Sequence, residues 1–451
     1  MFEKIASWID IHLSGPMAKI AEQRHLRAIR DGIVATLPII IVSSMFLVIA
    51  FLPNQMPDTW VISKLISANI GKILLPYRMA MYIMTLYAVF GIGFSLSKSY
   101  KLDGLSGGIL AEFAYLLSIV PIAMPGVSDT VSALAANSPE LSQYLTALPS
   151  GWLIPMGNLG SAGMFGGIVY AIIAVEIYRY TQEKGFKISM PEQVPESVAR
   201  SFESLTPTLI VMIVFSTISM WLGFDIHSMM AKLIEPFVNV TDSLGSVIVI
   251  VFLVTFFWSF GIHGMSIVGA LARPLWITMI ERNSTAYSAG ASLPFIAAEP
   301  FYQWFIWIGG AGMTIGLAIL LLTAKSKYAK TLGRVSFIPS LFNINEPLIF
   351  GAPIVLNPIL IIPFIITPII SGIIAYLATS LGIVNRVVAI APWTLPGPIG
   401  AFVSTGFDWR ALVLSSLLIV LSIFIYYPFF KMYDKQLLEE EKLNQDEEET
   451  E

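Results

Sequence analysis

Apolar residues run along this chain in blocks too long for a water-soluble protein. Nine stretches, 31–53, 80–97, 105–125, 161–181, 206–223, 246–272, 305–324, 354–380 and 410–430, are each near the length that crosses about 30 Å of hydrocarbon as a helix. A weaker stretch, 128–150, reads as a tenth span, an external loop or a partly buried helix. Between 182 and 205 the chain turns polar, with Val194, Val198, Phe202 and Leu205 at helical spacing. That pattern predicts an amphipathic helix lying in the membrane interface. It divides the chain into an N-terminal half, 1–181, and a C-terminal half, 206–433.

Proline changes the picture downstream. The stretch 335–385 holds Pro339, Pro347, Pro353, Pro358, Pro363 and Pro368, and its only charge is Glu346. Proline removes a backbone donor and breaks helices. Irregular backbone survives at membrane depth only where protein or a watery cavity covers it. The segment 343–347 (NINEP) therefore predicts a re-entrant hairpin rather than a plain span. Two further irregular segments are 391–398 (APWTLPGP), inside a charge-free run, and 292–304, which holds Pro294, Glu299 and Pro300. Broken helices of this kind recur where transporters bind substrate near the bilayer midplane.

Composition agrees. The 451 residues are 56% hydrophobic and 12% charged, about half the charged share of soluble domains. The net charge of −4 hides an acidic tail: 434–451 carries nine acidic and two basic residues, and the body is slightly basic without it. The tail reads as a solvated, partly disordered end. There is no cysteine, which excludes disulfides, thiolate metal sites and a cysteinyl phospho-carrier within this chain. The first 30 residues lack a signal peptide's short apolar core and cleavage site, so the first hydrophobic helix is expected to act as its own insertion signal. The basic N-terminus, Arg179–Lys187, the cluster Lys325, Lys327, Lys330 and Arg334, and Lys431 with Lys435 place both termini in the cytoplasm. An even number of crossings follows, and ten is the count expected.

Glu346 is the sharpest candidate for chemistry. An ionisable group in a membrane interior is costly unless paired, neutralised or solvated by a cavity. It reads either as a protonated acid bonded to amides freed by Pro347, or as a carboxylate that binds sugar hydroxyls or takes a proton from one. Asn343 and Asn345 could add amide donors and acceptors beside it. His263 lies in 261–264 (GIHG), within the uncharged run 243–272. It is one of only four histidines, with His12, His25 and His227. A lone histidine is as readily a satisfied core group, but flanking glycines, Gly264 included, remove bulk where a ligand could approach. A neutral imidazole beside a carboxylate suits proton movement from a hydroxyl. Trp258 and Trp393 are either sugar-stacking platforms or packing residues. The glycine-rich segment 157–163 (GNLGSAG) lacks the lysine of a phosphate-binding loop, leaving Asn158 as a hydroxyl ligand. Glu112 reads as structural. No metal-ligand spacing is present, and neither a cofactor nor a nucleic-acid partner is implied.

The segment 342–358 (FNINEPLIFGAPIVLNP) resembles the membrane C component of phosphotransferase-system sugar permeases, in the lactose/cellobiose/diacetylchitobiose branch. So do 261–264, 23–32 (QRHLRAIRDG) and 100–103 (YKLD), and the resemblance runs essentially end to end. It implies an all-α integral membrane fold with ten transmembrane helices and two re-entrant hairpins in the bacterial cell membrane. It also implies a homodimer joined through the N-terminal helices, with one disaccharide enclosed by each C-terminal half. The sugar's terminal hydroxyl would be phosphorylated by a phosphocysteine on a separate EIIB protein, so the chain is a transporter component rather than an enzyme alone. On this resemblance Glu346, as general base, and His263 sit near that hydroxyl, and Asn158, Trp258, Gly264, Asn343, Asn345 and Trp393 line the sugar site. The contrasting reading is a proton-coupled secondary sugar transporter with Glu346 as the coupling acid. Cellobiose is the first sugar expected, with diacetylchitobiose and lactose next.

Overall fold

The computed structural model describes residues 23–124, 138, 143, 145, 151–191, 193–352, 354–355 and 357–448. The basic residues Lys4 and Lys19, His12, most of the weak span 128–150, Pro353 and the last three residues of the tail lie outside the described residues. The chain divides into two compact units, Met1–Met81 with Leu233–Glu451, and Tyr82–Lys232.

The helices in chain order are α1 (Arg24–Ala50), α2 (Val61–Ile73), α3 (Leu75–Met81), α4 (Met84–Ser99), α5 (Gly104–Leu117), α6 (Met164–Glu183), α7 (Glu196–Glu203), α8 (Leu205–Ser216) and α9 (Ile226–Thr241). They continue with α10 (Leu244–Ser259), α11 (Gly264–Ser288), α12 (Glu299–Phe305), α13 (Ile315–Leu321), α14 (Lys327–Leu341), α15 (Glu346–Gly351), α16 (Ile361–Ser380), α17 (Gly397–Ser404) and α18 (Trp409–Glu448). In the smaller unit, α4, α5, α6 and α8 pack on one another, and the strands Ile122–Met124 and Gly151–Leu153 pair antiparallel.

Among the described residues, six helices are long and apolar enough to cross a bilayer, seven if α9 and α10, bent by 80°, form one broken span. Ten crossings would need the shorter apolar helices and the broken segments as well. Large apolar side chains such as Trp221 and Phe424, 86% and 71% exposed, suit a surface that meets lipid.

Five expectations need correction. The amphipathic helix forms only over Glu196–Glu203, because Pro191 and Pro195 hold the preceding chain out of helix. Its apolar residues Val198 and Phe202 are exposed, as an interfacial helix requires. The span 246–272 is two helices, α10 and α11, broken at Phe260–His263, where Gly261 takes φ +78°. The span 305–324 is likewise broken: α12 ends at Phe305 and the regular helix resumes only at Ile315. Segment 60–80, which carries no predicted span, holds α2 and α3.

The tail is the fifth. α18 runs unbroken for 40 residues to Glu448 rather than giving way to a disordered end from Asp434. Its acidic residues have work at the start of α14, whose first amides lack intrahelical partners. Asp434, 3% exposed, accepts from the Lys325 amide at 3.0 and 3.1 Å and from the Ser326 amide at 3.0 Å. Glu441 accepts from the Tyr328 amide at 2.9 Å, the Lys327 amide at 3.2 Å and the Ser326 hydroxyl at 2.7 Å. Ser326 Oγ accepts from the Ala329 amide at 3.1 Å. Carboxylates at a helix N-terminus also complement its dipole. Removing such a cap costs about 1–2 kcal/mol, so Asp434→Ala should raise amide hydrogen exchange at Lys325 and Ser326 by about tenfold. Unchanged protection there would show that the tail does not hold this helix start.

Candidate functional site

A cavity of about 400 Å³ opens within the larger unit. Its wall is built where helices break, so each break has to be explained before the chemistry.

The first break is the α10–α11 junction. His263 ends the loop as the N-cap of α11, and its Nδ1 accepts from the Ser266 amide at 3.2 Å with the Ser266 hydroxyl at 3.0 Å. A neutral imidazole accepting at Nδ1 carries its proton on Nε2, so His263 is set up as a donor through Nε2. Trp258 supports the ring from behind, with centroids 4.6 Å apart, and is itself only 5% exposed. Gly264 has a packing reason: a Cβ there would lie 2.1 Å from the Val254 carbonyl oxygen. Its small size lets α11 begin against α10.

The second break is the turn before α13, and the NINEP segment clamps it. Asn343, at φ +62°, sits in the left-handed region that asparagine tolerates better than most residues. Its Oδ1 accepts from the Gly309 amide at 2.9 Å, while Nδ2 donates to the Trp393 carbonyl at 2.7 Å and the Leu395 carbonyl at 2.9 Å. Asn345, 4% exposed, donates to the Ala311 carbonyl at 2.7 Å and the Thr314 hydroxyl at 2.9 Å. These two amides thus join three irregular segments, and their hydrogen-bonding groups are largely occupied by backbone.

α15 starts at Glu346, directly after this clamp, with Pro347 at the position where a missing amide does least harm. α14 and α15 form a helical hairpin. The carboxylate is not buried as the sequence suggested. Its side chain is exposed and lines the cavity. It has no hydrogen-bond partner among the described residues, so the reading of an acid fixed by freed amides has no support. Glu346 lies close enough to His263 to act on its charge. Trp393, 52% exposed, contributes a ring to the same wall.

The structure thus gathers Glu346, His263, Trp258, Asn343, Asn345 and Trp393 around one cavity. Asn158 belongs to the other unit, where its carbonyl accepts from the Tyr115 hydroxyl. Sequence reasoning missed Arg273 and the rank of Glu299. Arg273 Nε and Nη2 donate to Glu299 Oε1 at 3.1 and 2.9 Å, and both residues line the cavity. Two buried polar atoms of the wall residues lack partners among the described residues, the acceptor Glu299 Oε2 and the donor Trp307 Nε1. The signal for Arg273 was available, because it is the first charge after the long uncharged run 243–272. Val34, Leu37 and Ile41, which also line the cavity, gave none.

Comparison with known proteins gives the family. A sequence model described as "Phosphotransferase system, EIIC" matches residues 30–368. The cellobiose-specific EIIC component of Geobacillus stearothermophilus is 36% identical over 436 residues, 94% of this chain and 93% of that protein. The lichenan permease IIC component of Bacillus subtilis is 35% identical over 430 residues, 94% and 92% of the two chains. The crystal structure of the transporter ChbC, the IIC component of an N,N'-diacetylchitobiose-specific phosphotransferase system, matches with a TM-score of 0.83 at 35% identity. That match covers 96% of this chain and 99% of ChbC. The broken-helix cavity with Glu346 and His263 at its wall is therefore that of a multi-pass membrane protein belonging to the EIIC family of the phosphotransferase system.

Proposed function

We propose that this chain binds a neutral β-linked disaccharide, cellobiose first, carries it inward, and presents its terminal hydroxyl to the phosphocysteine of a separate EIIB protein. The observation that carries this reading is Glu346: a carboxylate without a hydrogen-bond partner among the described residues, on the wall of a cavity whose other charged groups, Arg273 and Glu299, pair with each other. The cavity volume falls in the range of small-molecule sites. The Trp393 ring offers a flat apolar face to sugar C–H groups. Relatives named for cellobiose, lichenan, oligo-β-mannoside and lactose support a β-linked sugar as substrate. Diacetylchitobiose and lactose are the next sugars to test.

The transfer has a simple balance. The sugar oxygen attacks phosphorus, its proton passes to the Glu346 carboxylate, and the S–P bond breaks to leave a cysteine thiolate on EIIB. A general base must lie within hydrogen-bond reach of the proton it takes, and an unbonded carboxylate is free to do so. His263, donating through Nε2, would orient the hydroxyl oxygen. The wider reading is a homodimer joined through N-terminal helices, ten crossings, two re-entrant hairpins at the irregular segments, and both termini cytoplasmic. A proton-coupled secondary transporter would need no EIIB partner, and the EIIC relatives favour group translocation over it.

Two substitutions test the site. Glu346→Gln keeps shape and hydrogen bonding but removes the base. It should lower phosphorylation of cellobiose by about a hundredfold or more while equilibrium binding stays measurable. Phosphorylation at the unsubstituted rate would remove Glu346 from the general-base role. His263→Ala should weaken binding and phosphorylation together, because it deletes a hydroxyl donor and the N-cap of α11. Normal binding and turnover would return His263 to a packing residue.

A further inference from the structure

Under the proposed function the chemistry at Glu346 has an electrostatic problem. A phosphoryl group carries two negative charges, and the base beside it is itself an anion. The charged groups of the cavity wall are Glu346 and the pair Arg273–Glu299. That pair is closed on itself at 2.9 Å with both side chains about four-fifths buried. Arg273 also stands ten residues along α11 from His263, about 15 Å of helix. It is therefore at the wrong end of the cavity to meet the phosphoryl group.

Arg30 is better placed. Val34, Leu37 and Ile41 of α1 line the cavity, and Arg30 lies one helical turn before Val34 on the same face. α1 packs against α11, the helix that begins at His263. Arg30 and Glu346 both lie close enough to His263 to act on its charge. Its side chain is 27% exposed and held in place by Asp31, with Nε and Nη2 each donating to Oδ1 at 3.1 Å. That leaves Nη1 and its two protons without a partner among the described residues. With Arg24 and Arg27 it also lies on the side assigned to the cytoplasm, from which EIIB would approach.

We propose that Arg30 is a further catalytic residue of the phosphoryl transfer, its free Nη1 contacting the non-bridging oxygens as the group passes from the EIIB cysteine to the sugar. This inference rests on the group-translocation reading above. Guanidinium suits the task because its planar fork of donors matches phosphate geometry and it stays charged at any working pH. Phosphoryl transfer depends mainly on positioning and on neutralising charge as it develops. Glu346 takes the hydroxyl proton and Arg30 offsets the charge that Glu346 would otherwise repel.

The test uses the full-length protein in proteoliposomes, with cellobiose and phosphorylated EIIB, in three variants: Arg30→Gln, Arg30→Lys and Arg27→Gln. Equilibrium cellobiose binding reports folding, and single-turnover transfer at saturating EIIB reports chemistry. Arg30→Gln should keep its cellobiose dissociation constant within about twofold and lose about a hundredfold or more in transfer rate, in line with arginines that act on phosphoryl groups elsewhere. Arg30→Lys should recover only part of that loss. Arg27→Gln, an equal charge change one turn away, should transfer at nearly the unsubstituted rate. The proposal is overturned if Arg30→Gln transfers normally, or if Arg27→Gln and Arg30→Gln lose equally. It is also overturned if the Arg30→Gln defect disappears at saturating EIIB, which would make Arg30 a docking residue. Failure of the unsubstituted protein to phosphorylate bound cellobiose would instead overturn the cellobiose group-translocation reading, and Arg30's role with it.

Discussion

Every backbone group freed where a membrane helix breaks must find a partner inside the protein, and this constraint shapes the whole site. In hydrocarbon an unsatisfied amide or carbonyl costs several kcal/mol. The chain breaks at 306–314, 342–345 and 391–396, and the breaks satisfy one another. Asn343 bridges Gly309 to Trp393 and Leu395, and Asn345 bridges Ala311 and Thr314. The Thr314 hydroxyl closes on the Gly309 carbonyl at 2.7 Å, and the buried Tyr426 hydroxyl on the Gly312 carbonyl at 2.8 Å. At Gly310 a Cβ would lie 2.2 Å from the Asn345 side chain, so no larger residue could accept this clamp unchanged. The cavity exists because irregular backbone has been made affordable there.

This also explains why neighbouring residues in one motif have different tasks. Asn343 and Asn345 look like sugar ligands by residue type, yet they are committed to backbone. Glu346 looks like a buried cost by its surroundings in the chain, yet its carboxylate lines the cavity with no hydrogen-bond partner among the described residues. The clamp fixes the peptide at Glu346 and leaves the side chain available. Elsewhere on the cavity wall the Nδ1 contact with Ser266 fixes the histidine tautomer in the same way. Preorganised groups of this kind act without having to reorganise when charge develops.

Much of the fold was legible because its strongest signal, apolar length, depends on composition alone. Spans 31–53, 161–181 and 410–430 reappear as α1, α6 and α18. The breaks at Gly261 and after Phe305 were hidden because the apolar runs continue straight through them. Hydropathy cannot register a backbone that changes direction without changing polarity. Proline did mark the NINEP segment, where the chain changes direction next to Glu346. The tail was misread for the opposite reason. Its charge pattern resembles a solvated end, but Asp434 and Glu441 meet amides that lie more than a hundred residues earlier. The pairing of Arg273 with Glu299 was out of reach likewise: each residue stands out in the sequence, but nothing joins two positions 26 apart.

The central claim is that sugar crosses this protein coupled to its own phosphorylation, with Glu346 serving the hydroxyl and no proton gradient required. The most direct measurement is uptake of labelled cellobiose into vesicles holding only this chain, with and without phosphorylated EIIB inside and with and without an imposed proton gradient. Cellobiose phosphate should accumulate when phosphorylated EIIB is present, and the gradient should make no difference. Accumulation of unmodified cellobiose driven by the gradient, in vesicles without EIIB, would contradict the account.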